Sequence, residues 1–270
     1  MDREKINQYE KAYYQNYIPV PFKTRDGYVL NIYPVTVMEW ELFNDSTPVL
    51  TQDKSKINDA EIIQMSYLEF LYNLINVESM DETLGTHYRD SLFYALDSVL
   101  KDEHNVKYTF RWYDEKVNLV ILDSKDVVKC KITPKEFNNI IDIIMTYNYI
   151  DYDDRRFSDD VMNAISEHTK RMYKGMREPT LEEKKAFVIS KTGMDYREVN
   201  NMPYRLFSLI FKYNLGVDSY IGDKIIQGSY KYKVDNNIIH PLYEQKKDIL
   251  SEVFSDSDAF KNKISEGAKA

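Results

Sequence analysis

Between residues 106 and 132 the apolar pattern of this chain changes period, and that change constrains the fold more than any other feature. Residues 106–113, 117–122 and 127–132 are short runs rich in β-branched and aromatic side chains. Asp114-Glu115-Lys116 and Asp123-Ser124-Lys125-Asp126 separate them, which is the pattern of a three-stranded antiparallel meander. Alternation within Lys107-Tyr108-Thr109-Phe110-Arg111-Trp112 predicts one buried and one wet face. On either side the period is helical. Ile62, Met65, Leu68, Leu71, Tyr72 and Ile75 share one helix face, as do Phe137, Ile140, Ile141, Ile144 and Met145. The expected fold class is therefore α+β, predominantly helical with a small N-terminal hairpin and the meander.

Local signals place the remaining elements. Residues 21–23 and 28–33 flank Thr24-Arg25-Asp26-Gly27, where Gly27 supplies the positive φ of a tight hairpin turn. Thr36 with Glu39, Asn58 with Glu61, Thr133 with Glu136 and Thr180 with Glu183 have capping-box spacing, in which hydroxyl or amide and carboxylate satisfy otherwise unpaired N–H groups. They predict a short helix through Trp40 and Phe43, a helix over about 58–75, one after Pro134, and one ended by Gly193. A helix over about 82–101 is expected to pack antiparallel on the 58–75 helix. Further helices are expected from Ser158 to about residue 174, over 195–200, after Met202-Pro203, and over 242–254. Leu206, Phe207, Leu209, Ile210 and Phe211 make the helix after Pro203 apolar around much of its circumference, as in a central or partner-binding helix. Residues 220–234 read either as a hairpin about Gly228 or as a helix end with a loop, and residues 255–270 as a disordered tail.

Glycine and proline are only 8 residues each of 270, so the chain is built of long elements rather than dense turns. Residues 1–150 carry 16 basic and 24 acidic side chains, whereas 151–270 carry 20 of each. With the polar joint at 151–157, this divides the chain into an α+β domain at 1–150, a mainly helical domain at 158–254 and the tail. The net charge of −8 opposes attraction to phosphate backbones and anionic membranes, so neither nucleic acid nor membrane is an expected partner. The single cysteine, Cys130, allows no internal disulfide, and the first residues lack the apolar stretch of a secretion signal; an intracellular location is expected.

No reaction centre is visible. His87, His104, His168 and His240 include no pair at metal-binding helical spacing. Asp151-Tyr152-Asp153-Asp154 has oxygen ligands but lacks the glycine and distal glutamate of a calcium loop, and helix capping explains it. Cys130 sits in a strand with Lys129 and Lys131 directed to the opposite face, as a buried small hydrophobe. Phosphate-cradling glycine motifs and the nucleophile elbow are absent. No catalytic residue, cofactor or metal is expected. The 23 tyrosines, 12 phenylalanines and 2 tryptophans suit surfaces that are wet alone and buried in a complex, although biased codon supply gives the same composition. The small patch of Tyr230 with Lys231-Tyr232-Lys233 would suit single-stranded nucleic acid, but the field of the whole chain opposes it.

Four stretches, YVLNIYPVTVMEWELF at 28–43, AEIIQMSYLEFLYNL at 60–74, ITPKEFNNIIDIIMTYNYIDYDD at 132–154 and TGMDYREVNNMPYRLFSLIFK at 192–212, carry a resemblance to a known family. In their order the chain resembles the tail assembly chaperones and related tail-morphogenesis proteins of bacteriophages infecting Gram-positive hosts. The resemblance implies a non-enzymatic protein of the host cytoplasm that binds tape-measure and tail-tube or baseplate proteins during tail morphogenesis. Alternatives are a structural component retained in the virion tail or baseplate, and a cryptic enzyme or nucleic-acid processing factor. A chaperone needs apolar grooves that accept helices at i, i+3, i+4 and i+7. Trp40, Met65, Met202, Phe207 and Phe211 are the candidate partner-binding residues, because methionine and aromatic surfaces adapt to varied partners, with core packing as the alternative for each.

Overall fold

A computed structural model of the chain describes residues 8–54, 57, 59–77, 82–102, 106–150, 152, 167 and 179–228. The helices expected over 158–174 and 242–254, the tail, the acidic cluster at 151–154 apart from Tyr152, His104, His168, His240 and the Lys231-Tyr232-Lys233 patch lie outside those residues. The fold is α+β. The chain divides into two compact units, Met1–Tyr152 with Met194–Ser208, and Asp153–Gly193 with Leu209–Ala270. The first unit thus takes in Met194–Ser208, a segment that the charge-based division assigns to the second part.

In the first unit a π-helical turn, Glu10–Tyr14, leads to the hairpin β1 (Val20–Lys23) and β2 (Val29–Ile32), paired antiparallel with Val20 opposite Ile32. Gly27 has φ +83 and donates to the Thr24 carbonyl, as the turn requires. Helices α1 (Trp40–Ser46) and α2 (Pro48–Thr51) follow. Glu39 accepts both the backbone N–H and the hydroxyl of Thr36, but the Glu39 N–H donates to the Thr36 carbonyl and Glu39 itself is the N-cap with no side-chain cap bond, so only half of the expected Thr36–Glu39 box forms.

The single helix expected over 58–75 is two: α3 (Ala60–Gln64) and α4 (Tyr67–Val77). Asp59, not Asn58, caps α3 by accepting from the Glu61 and Ile62 amides. Met65 is extended at the break, and the Ser66 hydroxyl oxygen accepts the Glu69 N–H to start α4. Helix α5 (Glu82–Val99) comes next, and both α1 and α4 pack on it.

Strands β3 (Lys107–Tyr113), β4 (Lys116–Leu122) and β5 (Val128–Ile132) form the meander, in the order β3-β4-β5 and antiparallel throughout. Asp114 and Glu115 both take positive φ, the two-residue turn whose twist matches that of the strands it joins. Val117–Leu122 of the central strand are buried on both sets of alternating positions. The wet-and-dry alternation expected for β3 holds at Lys107, Tyr108 and Arg111 but fails at Trp112, which is 50% exposed. Tyr72 of α4 meets Phe110 and Trp112 edge-on, and Phe93 of α5 meets Tyr108, so these helices cover that face of the sheet.

Thr133, Pro134 and Glu136 open α6 (Pro134–Asn148) with a complete capping box. Glu136 also accepts the Arg25 N–H, tying the hairpin turn to the helix start. Phe137, Ile140, Ile141, Ile143, Ile144, Met145, Tyr147 and Asn148 of α6 are all buried, which makes it the central helix of the unit.

Helix α7 (Leu181–Thr192), in the second unit, has the predicted Thr180–Glu183 box and ends at Gly193 with φ +73. In the first unit, α8 (Tyr196–Asn201) is boxed by Asp195 and Glu198. Helix α9 runs from Tyr204 to Gly228, so the described part of the ambiguous 220–234 stretch is helical. Its first turn belongs to the first unit and Leu209–Gly228 to the second. No described helix is long and apolar enough to cross a membrane.

Candidate functional site

Three of the five sequence-derived contact residues are core. Trp40 is 9% exposed, lies flat against Tyr204 with ring centroids 3.4 Å apart, and is further walled by Tyr149 and Phe43. Met202 and Phe207 are also buried. The Met202 carbonyl accepts the Val37 N–H, Tyr204 donates to the Val35 carbonyl, and Thr36 bridges Pro203. Segment 194–208 is therefore fastened by its backbone to residues 35–38, and burial of its apolar side chains follows from that docking. These three residues are part of the buried core of the first unit.

Met65 is half-buried at the α3–α4 break, where its carbonyl accepts Lys54 Nζ and its sulfur lies 3.6 Å from the Asn73 amide nitrogen. Phe211 is half-buried in the second unit, edge-on to Phe187 of α7 at 5.4 Å. Val188 is buried in α7, and Lys191 pairs with Asp218 at 2.6 Å, so α7 packs along one side of α9.

The rest of α9 in the second unit is unusual for a helix in a folded protein. Leu209, Tyr213, Ile221 and Ile225 are 42%, 42%, 48% and 67% exposed, and Val217 between them is half-buried. Residues four apart form a continuous ridge on a helix, so these five side chains make one slanted apolar row roughly 24 Å long at 1.5 Å rise per residue. Leu215 and Ile226 add exposed apolar surface beside it. The signal for this row is present in the sequence as unbroken i, i+4 spacing from 209 to 225, but circumferential apolarity hid it, because the same stretch also reads as a buried helix.

Several polar groups elsewhere have structural explanations. Tyr147 stacks on Tyr14 with centroids 4.5 Å apart and donates to the Ile18 carbonyl. Burial first, and then the neighbouring Tyr14, push its hydroxyl pKa far above the ordinary phenol value, so it acts as a neutral donor. Tyr149, raised mainly by burial, hydrogen-bonds Thr47 and Asn44. The Arg205 guanidinium lies over the Tyr14 ring and donates to the Thr146 carbonyl at 3.0 Å. Burial raises the Asp97 carboxyl, opposed by a hydrogen bond from Tyr108. Cys130 is buried. Among the described residues no three His, Cys, Asp or Glu side chains converge as metal ligands. Compared with known protein families, curated proteins and solved structures, the chain matches none of them.

Proposed function

We propose that the chain works by protein–protein contact, as a non-enzymatic bacteriophage tail assembly chaperone that binds tape-measure and tail-tube or baseplate proteins in the host cytoplasm. The observation that carries this reading is the row on α9 formed by the exposed Leu209, Tyr213, Ile221 and Ile225 with the half-buried Val217. Apolar surface gains on the order of 25 cal/mol for each Å² removed from water, so a row of partly exposed aliphatic and aromatic side chains favours association with another apolar surface. A helix with apolar side chains at i, i+4 and i+7 fits such a row, and long apolar helices are what a tape-measure chaperone must keep in solution. The similarity in segment order to tail-morphogenesis proteins supplies the identity of the client, and the row supplies the contact surface.

Co-expression with a fragment of a phage tape-measure protein tests the reading. Copurification at low salt is expected, together with absence of the chain from purified virions. A clean pull-down without the fragment overturns the assignment, and recovery of the chain from finished particles replaces the chaperone by a structural component of the tail.

A further inference from the structure

The meander has two outer edges, β3 and β5, because β4 lies between them. An unpaired edge offers N–H and C=O groups to any further strand, and folded chains blunt it with bulges, lysines or proline. Edge β5 is blunted. Its register shifts between Ile121 and Leu122, which leaves Lys129 as a bulged residue, and self-pairing about Cys130 would set Lys129 opposite Lys131 of another copy. Edge β3 is not blunted in this way: it pairs with β4 over 7 consecutive residues, Lys107 to Tyr113, without a bulge or a proline.

The two-residue turn fixes which backbone groups of β3 point outwards. Tyr113 and Lys116 flank Asp114-Glu115 as the closing hydrogen-bonded pair, so alternation directs the N–H and C=O groups of Tyr108, Phe110 and Trp112 away from β4. Among the described residues, Phe110 and Trp112 make no backbone–backbone hydrogen bond outside the β3–β4 ladder. Trp112 is exposed and Phe110 half-buried, so apolar area remains at the edge itself.

We infer that β3 pairs antiparallel with β3 of a second copy of this chain, about a two-fold axis at Phe110, to make one continuous six-stranded sheet. Phe110 then exchanges both hydrogen bonds with Phe110 of the second copy. Trp112 stands opposite Tyr108 of that copy, so aromatic side chains meet across the seam on the face that Tyr72 and Phe93 cover. The charges lie on the other face, and this register keeps like charges from standing opposite one another. Arg111 meets the uncharged Thr109 of the second copy, and Lys107 meets Tyr113 while it remains paired with Asp126. Moving the axis to Arg111 would set Arg111 against itself, and moving it to Thr109 would set Arg111 against Lys107. The inference concerns self-association and does not depend on the client proposed above.

Sedimentation velocity of the full chain over about 1–100 μM tests the pairing. Each copy contributes one strand to the seam, so a concentration-dependent dimer is expected. Thr109→Glu places a carboxylate opposite Arg111 and should tighten the dimer, whereas Thr109→Lys should weaken it, each by about threefold or more because the substitution enters the seam twice. Thermal midpoints of the two variants report separately on folding. Cross-linking fixes the register: Thr109→Cys and Arg111→Cys chains, mixed and oxidised, should join, since opposite Cα atoms of a non-hydrogen-bonded pair lie about 4.5 Å apart. Neither variant alone should do so, because its two cysteines stand diagonally, and the buried Cys130 does not compete. A chain that stays monomeric throughout overturns the inference and leaves the edge to a strand of another protein. A dimer indifferent to the charge at residue 109, or one without the mixed cross-link, pairs through another surface or register and overturns it as well.

Discussion

The side-chain carbonyl of Asn148 accepts the backbone N–H of Val35 at 2.8 Å, joining positions 113 residues apart in a site where Asn148 is only 1% exposed. Its amide group donates to the Ile144 carbonyl one turn back, so both ends of the side chain are engaged. The next links in the same region are the Tyr204 N–H to the Val35 carbonyl and the Val37 N–H to the Met202 carbonyl. Asn148 therefore fixes the strand-like segment on which 194–208 docks.

Asn148→Ala leaves the Val35 amide buried without an acceptor, which costs about 1–3 kcal/mol. Denaturant unfolding is expected to report a loss of that size. A change below about 0.5 kcal/mol would mean that water replaces the bond and that the site is less dry than its burial indicates.

Glu39 gives the fold a pH dependence whose sign follows from its surroundings. Burial pushes its carboxyl pKa up, but the Lys101 ammonium at 2.7 Å and the Thr36 N–H and hydroxyl outweigh burial and hold it below the ordinary glutamate value. A depressed folded pKa favours the ionised form in the native state, so the contribution is present above the unfolded value of about 4.3 and is lost as pH falls through the lower folded value. Glu39→Gln is expected to destabilise by about 1 kcal/mol at pH 7, discounted for partial exposure, with the difference closing in acid. A gap that persists unchanged at the lowest pH at which the protein stays folded contradicts this.

The two tryptophans report on different environments. Trp40 is sealed under Tyr204 and Tyr149, whereas Trp112 is half exposed on β3. Iodide is expected to quench the emission of the native chain only in part. Trp112→Phe should abolish the quenchable fraction, and Trp40→Phe should leave it in place. Quenching of both components would place Trp40 at the surface and restore it as a contact residue.

How much of this is legible in the sequence depends on range. The Gly27 turn, the Thr133 and Thr180 boxes and the meander are determined within a few residues, and the pattern finds them. Apolar periodicity continues across Met65 and conceals the α3–α4 break, although Ser66 with Glu69 has the same cap spacing as Thr133 with Glu136. Placement of 194–208 in the first unit depends on backbone bonds to residues 35–38, more than 150 positions away, and nothing local encodes them. That docking is also what turned Trp40, Met202 and Phe207 from candidate contacts into core. Which side of α9 stays wet is likewise a tertiary property: Phe211 is covered by Phe187, and Tyr213 two residues later is not buried.

Along α9 the same chemistry should therefore have opposite consequences. Phe207 is 1% exposed, and Phe207→Ala removes a buried ring at a cost of about 3–5 kcal/mol. Ile225 is exposed, so Ile225→Glu is expected to change stability by no more than about 0.5 kcal/mol. Thermal unfolding of the two variants decides the matter. If Ile225→Glu is as damaging as the phenylalanine truncation, the isoleucine is covered within the chain itself, and the apolar row is then an internal packing surface with no place for a client.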